Sequence, residues 1–171
     1  MQTSSDNRQS QPVFPTPLAL PLKMLPASVH NKVLVTALNR MFNKELSEGE
    51  LDFLEGRIIH ILIKDAGIEY RFTLHNEQLT ATDNKHPADL VLQGNVYDYM
   101  LLASRREDTD TLFFSRRLHM QGDTELGLYV KNFLDGMDMD SHRFPAYLEA
   151  VLQKSLPLYE RLFSKTDTQD R

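Results

Sequence analysis

The chain contains no cysteine, which removes disulfides, thiolate metal sites and thiol nucleophiles at once. Positive charge is not in excess either. Nineteen Lys and Arg against 24 Asp and Glu leave a formal net charge of -5. A general nucleic-acid binder normally carries a basic face, so that class is set aside. No run reaches the ~18 uninterrupted apolar residues of a membrane span. The polar start, Met1–Gln11, lacks the charged head and greasy stretch of a secretory signal. The protein is therefore expected in the cytoplasm, with any membrane contact peripheral. Also missing are a Gly-rich phosphate loop with its Lys, a nucleophile elbow and a dinucleotide fingerprint.

What is present suits one compact domain with tails: 171 residues, 41% apolar and 25% charged. Five of the eight prolines fall between Pro12 and Pro26, interleaved with Val13, Phe14, Leu18, Leu20, Leu22, Met24 and Leu25. Proline fixes φ and removes a donor, so this stretch reads as an extended arm on the domain or as an apolar flap for a bilayer or partner. From Val29 to Leu46 the apolar spacing turns helical (Leu34, Leu38, Met41, Phe42), with Ser28 as N-cap and Gly49 as stop. After Gly56 the period becomes two. Ile59, Ile61 and Ile63 share one strand face, and Ile68, Tyr70, Phe72 and Leu74 share the next. Short strands follow at Leu79–Thr82 and through Ala88, Leu90 and Leu92, and the short connections predict an antiparallel meander.

A helix is expected at Val96–Arg105 with Asn95 as cap, then a charged turn at Glu107–Thr111, a last strand at Leu118–Gln121, and a helix at Thr124–Met137 capped by Asp123. From Pro145 onward Leu148, Val151, Leu152, Leu156, Tyr159, Leu162 and Phe163 share one side, with Pro157 as a kink. The expected layout is an N-terminal arm (1–28), a globular domain (29–140), an amphipathic C-terminal helix (141–163) and a tail (164–171). The fold class is α+β, a mostly antiparallel five-stranded sheet covered on one face by helices.

Candidate chemistry is sparse. The six histidines (His30, His60, His75, His86, His119, His142) include no i,i+4 pair and no ligand pattern. His60 and His119 read as solvent-facing strand residues. Asp108 and Asp110 beside Glu107 are either a carboxylate pair or a charged loop, and the loop is the simpler reading. Gly122-Asp123-Thr124-Glu125 combines a strand exit with a helix cap, and a polar headgroup at the helix amides is the rarer alternative. Arg105-Arg106 and Arg116-Arg117 either converge on an anionic headgroup or pair with nearby acids.

With these elements in place, the chain resembles the sterol-carrier-protein lipid-binding family from about Lys32 to Met137. The order of elements matches, as does Leu118–Asp123, a final strand running into Gly-Asp and a helix. GELDFLEGR (Gly49–Arg57) and DTDTLFFSRRLHMQGDTELGLYVKN (Asp108–Asn132) are more closely similar to accessory factors of bacterial ubiquinone biosynthesis. The resemblance implies a non-catalytic protein of the oxygen-independent pathway, with an apolar pocket between sheet and helices. Its implied ligands are isoprenoid quinone precursors or phospholipid. Its implied partners are the iron–sulfur proteins UbiU and UbiV and other enzymes of that route, while no cofactor is expected here. Alternation assigns the pocket lining to Leu38, Phe42, Ile61, Tyr70, Phe72, Leu92, Met100, Phe114, Met120, Leu126, Tyr129 and Phe133. Each buried methylene is worth about 0.8 kcal/mol, so a prenyl tail needs such shelter to be handled in water. The competing expectation is a scaffold that assembles the same enzymes around a filled core.

Overall fold

The computed structural model describes residues 27–83, 86–139, 154 and 156–161. The Pro-rich stretch, both tails, His142 and most of the C-terminal stripe (Leu148, Val151, Leu152, Leu162, Phe163) lie outside the described residues.

The first helical period divides at Phe42 into α1 (Ala27–Met41) and a short α2 (Asn43–Ser47). Ser28, expected as a cap, lies inside α1. A single 3-10 turn (Asp52–Leu54) leads into the sheet. Four strands follow: β1 (Ile59–Ile63), β2 (Ile68–His75), β3 (Gln78–Ala81) and β4 (Leu90–Gly94). Next come α3 (Val96–Ala103), α4 (Thr109–Phe114), β5 (His119–Gly122) and α5 (Thr124–Met139). Residues 156–161 are again helical.

The sheet order is β3-β2-β1-β4-β5. Three of its pairings are antiparallel, but β4 runs parallel to β1, with Ile61 opposite Leu92. The sheet is therefore mixed, which corrects the expected meander. Eight residues separate Ala81 from Leu90 and reach about 27 Å when extended. The register sets Ala81, Phe72, Ile59 and Leu90 level across the sheet, so the connection covers three strand spacings sideways, roughly 14 Å. An open connection can span that distance, whereas a crossover built on a helix needs a dozen residues or more. On its way the connection passes the outer sheet face, where Arg71 Nη2 donates to the His86 carbonyl at 2.6 Å.

The inner face holds the main core. Ile59, Phe72, Leu74, Leu79, Leu90 and Leu92 from the strands pack with Val35, Leu46, Leu51, Leu54 and Leu126. The outer face carries the alternating polar residues. There His60 Nε2 lies 2.8 Å from Glu69 Oε2, but its side chain is only 14% exposed, which corrects the solvent-facing position expected of it. Helix α1 lies over β2 and β3 and finishes the sheet edge with a side chain. Asn39 donates to the Leu79 carbonyl at 2.7 Å and accepts from the Leu79 amide at 2.8 Å. One primary amide thus satisfies both backbone groups of an edge residue, which would otherwise invite pairing with another chain.

A second, smaller core joins α3, α4 and residues 156–161. Leu101, Leu112, Leu118 and Leu156 are buried together. A polar network ties this core. Buried Asp98 completes a capping box with Asn95 and accepts from Arg117 Nε at 2.9 Å. The Arg117 guanidinium stands 5.3 Å from the Tyr97 ring. Tyr97 stacks on Tyr159 at 5.8 Å and donates to Glu160 Oε1 at 2.6 Å. Arg106 approaches the same Glu160 oxygen. Both second arginines of the twin pairs are therefore held by acids rather than gathered into one anion site.

The corner between β4, β5 and α5 is tight. Gly122 sits at φ +127°, and a Cβ there would come 2.2 Å from the Asp89 carbonyl oxygen. The next residue exploits that approach. Asp123 donates its amide to the Asp89 carbonyl at 2.8 Å, and its carboxylate accepts from the Glu125 and Leu126 amides. Asp89 in turn accepts from Ile58 and Arg57. The Gly-Asp pair is thus a structural hinge and cap.

Two predictions follow from this packing. Gly122→Ala combines an unfavourable backbone with a main-chain clash and should cost about 2–3 kcal/mol, read as a lowered urea midpoint. Burial, then the Glu160 bond, pushes the Tyr97 phenol up to about 12. Burial likewise raises Tyr99 and Tyr159. The fold favours the neutral phenols, so this contribution is complete below pH ~10 and is lost as pH climbs toward 12. The thermal midpoint of the wild type should fall across that interval. Tyr97→Phe should start lower at neutral pH and fall less steeply.

Candidate functional site: two grooves beside helix α5

Two grooves flank the first turns of α5. The larger, about 360 Å³, has Leu90 and Met120 of the sheet as its floor. Phe113 of α4 forms one wall; Gly127, Leu128 and Lys131 of α5 form the other; residues 121–124 form the sill. The smaller, about 180 Å³, lies between Phe53, Arg57 and the Asp123, Glu125, Leu126 and Tyr129 side of α5.

Glycine shapes the larger groove. A Cβ on Gly127 would meet Met120 Sδ at 2.8 Å and Leu90 Cδ1 at 3.5 Å. Its absence lets α5 lie close to the sheet and leaves Met120, an adaptable side chain, as the layer between groove and core. Helix α4 exists because Asp108 caps it: Thr111 donates to the carboxylate through its amide at 2.6 Å and its hydroxyl at 2.7 Å. Those bonds hold the Asp108 carboxyl below its usual range. Asp110 pairs with Lys131 at 2.8 Å. The acidic cluster is thereby accounted for by a cap and an ion pair. The expected charged turn becomes helical from Thr109, and Phe113 and Phe114 belong to that helix, α4.

The smaller groove is polar at one end. Arg57 Nη1 lies 3.2 Å from Asp89 and 3.8 Å from Asp123. Tyr129 donates to Glu125 at 3.2 Å across its rim. Phe53 closes the other end against Tyr129, with centroids 5.7 Å apart.

Of the twelve residues assigned to a pocket lining, eight meet in the main core: Leu38, Phe42, Ile61, Phe72, Leu92, Met120, Leu126 and Phe133. Phe42 and Phe133 touch edge to face at 5.3 Å, joining the α1–α2 side to α5. The other four go elsewhere. Tyr70 shares the inner face but sits half-buried beside His30, with ring centroids 6.4 Å apart. Met100 packs in the second core, because α3 lies past the end of β4. Phe114 is 85% exposed, because α4 turns Leu112 inward instead. Tyr129 is exposed at the rim of the smaller groove. Sequence reasoning missed Leu90, Phe113, Gly127, Leu128 and Lys131. Only the helical spacing of Gly127 and Lys131 on α5 could have signalled a shared side.

The grooves bring together apolar walls and a few charges already paired, not a reacting constellation. Among the described residues no group of three or more His, Cys, Asp or Glu could hold a metal ion. No described helix is long and apolar enough to cross a membrane.

Comparison with known proteins agrees with this picture. Residues 35–135 match the SCP-2 sterol transfer family. The chain is 39% identical over 138 residues to the ubiquinone biosynthesis accessory factor UbiT of Escherichia coli K12, covering 81% of this chain and 78% of that protein. The UbiT of Escherichia coli O157:H7 matches at the same identity and coverage. A solved ubiquinone synthesis protein, UbiJ-SCP2, covers 63% of this chain and 96% of its own at 15% identity, with a TM-score of 0.49. On the family match and its relatives, the chain belongs to the SCP-2 sterol transfer family.

Proposed function

We propose that this chain is a non-catalytic lipid-binding accessory protein of oxygen-independent ubiquinone biosynthesis. It takes up prenylated quinone intermediates and presents them to the biosynthetic enzymes, with UbiU and UbiV as the implied recipients. The observation that carries this reading is the larger groove, whose floor is the inner face of the sheet in a chain of this family. Its size falls within the range of small-molecule sites. The relative UbiT, named a ubiquinone biosynthesis accessory factor, supports the pathway.

Magnitudes limit how much of a ligand the groove holds as it stands. At about 30 Å³ per small group, 360 Å³ accommodates on the order of a dozen heavy atoms. That is an aromatic head or a short stretch of tail. A polyprenyl chain of ~40 carbons, worth tens of kcal/mol in water, needs the walls to part or a membrane to keep the remainder. Exposed Leu128 on the groove wall and exposed Phe114 on α4 support peripheral contact with such a surface.

A second reading rests on the core itself. Eight of the expected lining residues already pack against one another, as they would in a scaffold that assembles enzymes and carries no lipid. Mass spectrometry of organic extracts separates the two. Wild-type protein purified from cells should carry prenylated or acyl lipid at a sizeable fraction of its own amount. Gly127→Leu should fold within about 1–2 kcal/mol of wild type, because Met120 can move aside, and should lose that lipid. A lipid-free wild type favours the scaffold. Full loading of Gly127→Leu places the lipid outside the larger groove.

A further inference from the structure

An ion pair joins the two helices that wall the larger groove. Lys131 of α5 lies 2.8 Å from Asp110 of α4 and 2.7 Å from Asp135, one turn farther along α5. The two acids differ in what they tie. Asp135 belongs to the same helix as Lys131, so its bond constrains no second element. Asp110 stands on α4, the helix that supplies Phe113 to the opposite wall, so its bond joins α4 to α5. Hydrogen bonds that Lys131 donates to Asp110 and then to Asp135 raise its pKa and keep the ammonium charged.

We infer that Lys131 and Asp110 form a latch across the mouth of the groove, one that sets how fast an apolar chain passes between α4 and α5. The inference rests on the lipid reading above. The geometry favours a weak latch. The side chains are 30% and 56% exposed, and exposed pairs change an equilibrium by about five-fold at most. Such a tie closes the mouth without trapping a guest. The rest of α4 yields less easily, since Leu112 is fully buried and Asp108 holds the first turn. Opening therefore means a small splaying at the Asp110 side of α4, within the reach of its exposed surface.

Full-length protein loaded with a pyrene-labelled fatty acid and chased with excess phosphatidylcholine vesicles tests this directly. Lys131→Gln and Asp110→Asn should each release the probe about two- to five-fold faster than wild type. The double variant should be no faster than either single one, because both remove the same contact. Asp135→Asn, which leaves the crossing bond in place, should release at the wild-type rate. Added salt should speed wild type toward the Lys131→Gln rate and leave Lys131→Gln unchanged. Far-UV spectra and thermal midpoints confirm that the variants remain folded. Normal loading with wild-type release in Lys131→Gln or Asp110→Asn overturns the latch alone. So does an Asp135→Asn variant as fast as Asp110→Asn. A wild type that takes up no probe overturns the lipid reading, and the latch with it.

Discussion

The chain passes close to itself where the end of β5 meets the start of β4, and the geometry of both grooves depends on that crossing. Gly122 has no side chain, so the Asp89 carbonyl can occupy the space a Cβ would need. The Asp123 amide then reaches that carbonyl, and the Asp123 carboxylate receives the first free amides of α5. A helix held at its first turn from two directions has little freedom in where it lies. Arg57 adds a charge between Asp89 and Asp123 and fixes the same corner from the β1 side. Helix α5 is thereby set over the inner face at a chosen distance, and the grooves are what that distance leaves on either flank.

Local patterning made most of the fold readable and left pairing unreadable. Ile59, Ile61 and Ile63, then Ile68 to Leu74, declare strands through strict alternation, because each face meets one environment. Asn95 and Asp123 declare helix starts through their short carbonyl side chains. Nothing within Leu90–Gly94 states that it pairs parallel to β1, three strand spacings from β3. That choice belongs to the reach of the preceding connection and to inner-face packing. Helix α4 escaped because its first turn, Thr109-Asp110-Thr111, is polar even though Thr109 is buried with Leu112. Read without its cap, that segment resembles a loop.

The candidate site divides along the same line. Alternation identifies inward residues correctly for Phe72, Leu92 and Leu126, which are buried in the main core. It cannot say where packing stops, since close packing is the default for any set of inward side chains. The groove residues owe their role to juxtaposition. Leu90 and Met120 come from neighbouring strands, Phe113 from a helix absent from the expected layout, and Gly127 matters through the side chain it lacks. Phe114 shows the converse. Its neighbour Leu112 takes the inward position on a short helix, and two residues of rotation place Phe114 in solvent.

The larger groove also lies on the seam between two separately packed cores. Its floor, Leu90 and Met120, belongs to the sheet core; its wall, Phe113, packs with the core of α3, α4 and residues 156–161. Widening a gap inside either core would forfeit contacts on every side, which is the cost that makes interiors resist change. Widening the seam moves one core relative to the other and leaves each intact. The second core has its own cross-links for that purpose, since the Asp98–Arg117 pair and the Tyr97–Glu160 bond hold it together internally. Segments that open at low cost are those with few buried apolar contacts across the boundary that moves. A carrier must bind hydrocarbon firmly enough to shield it and loosely enough to hand it on. A seam meets both requirements in a way that a sealed interior cavity does not.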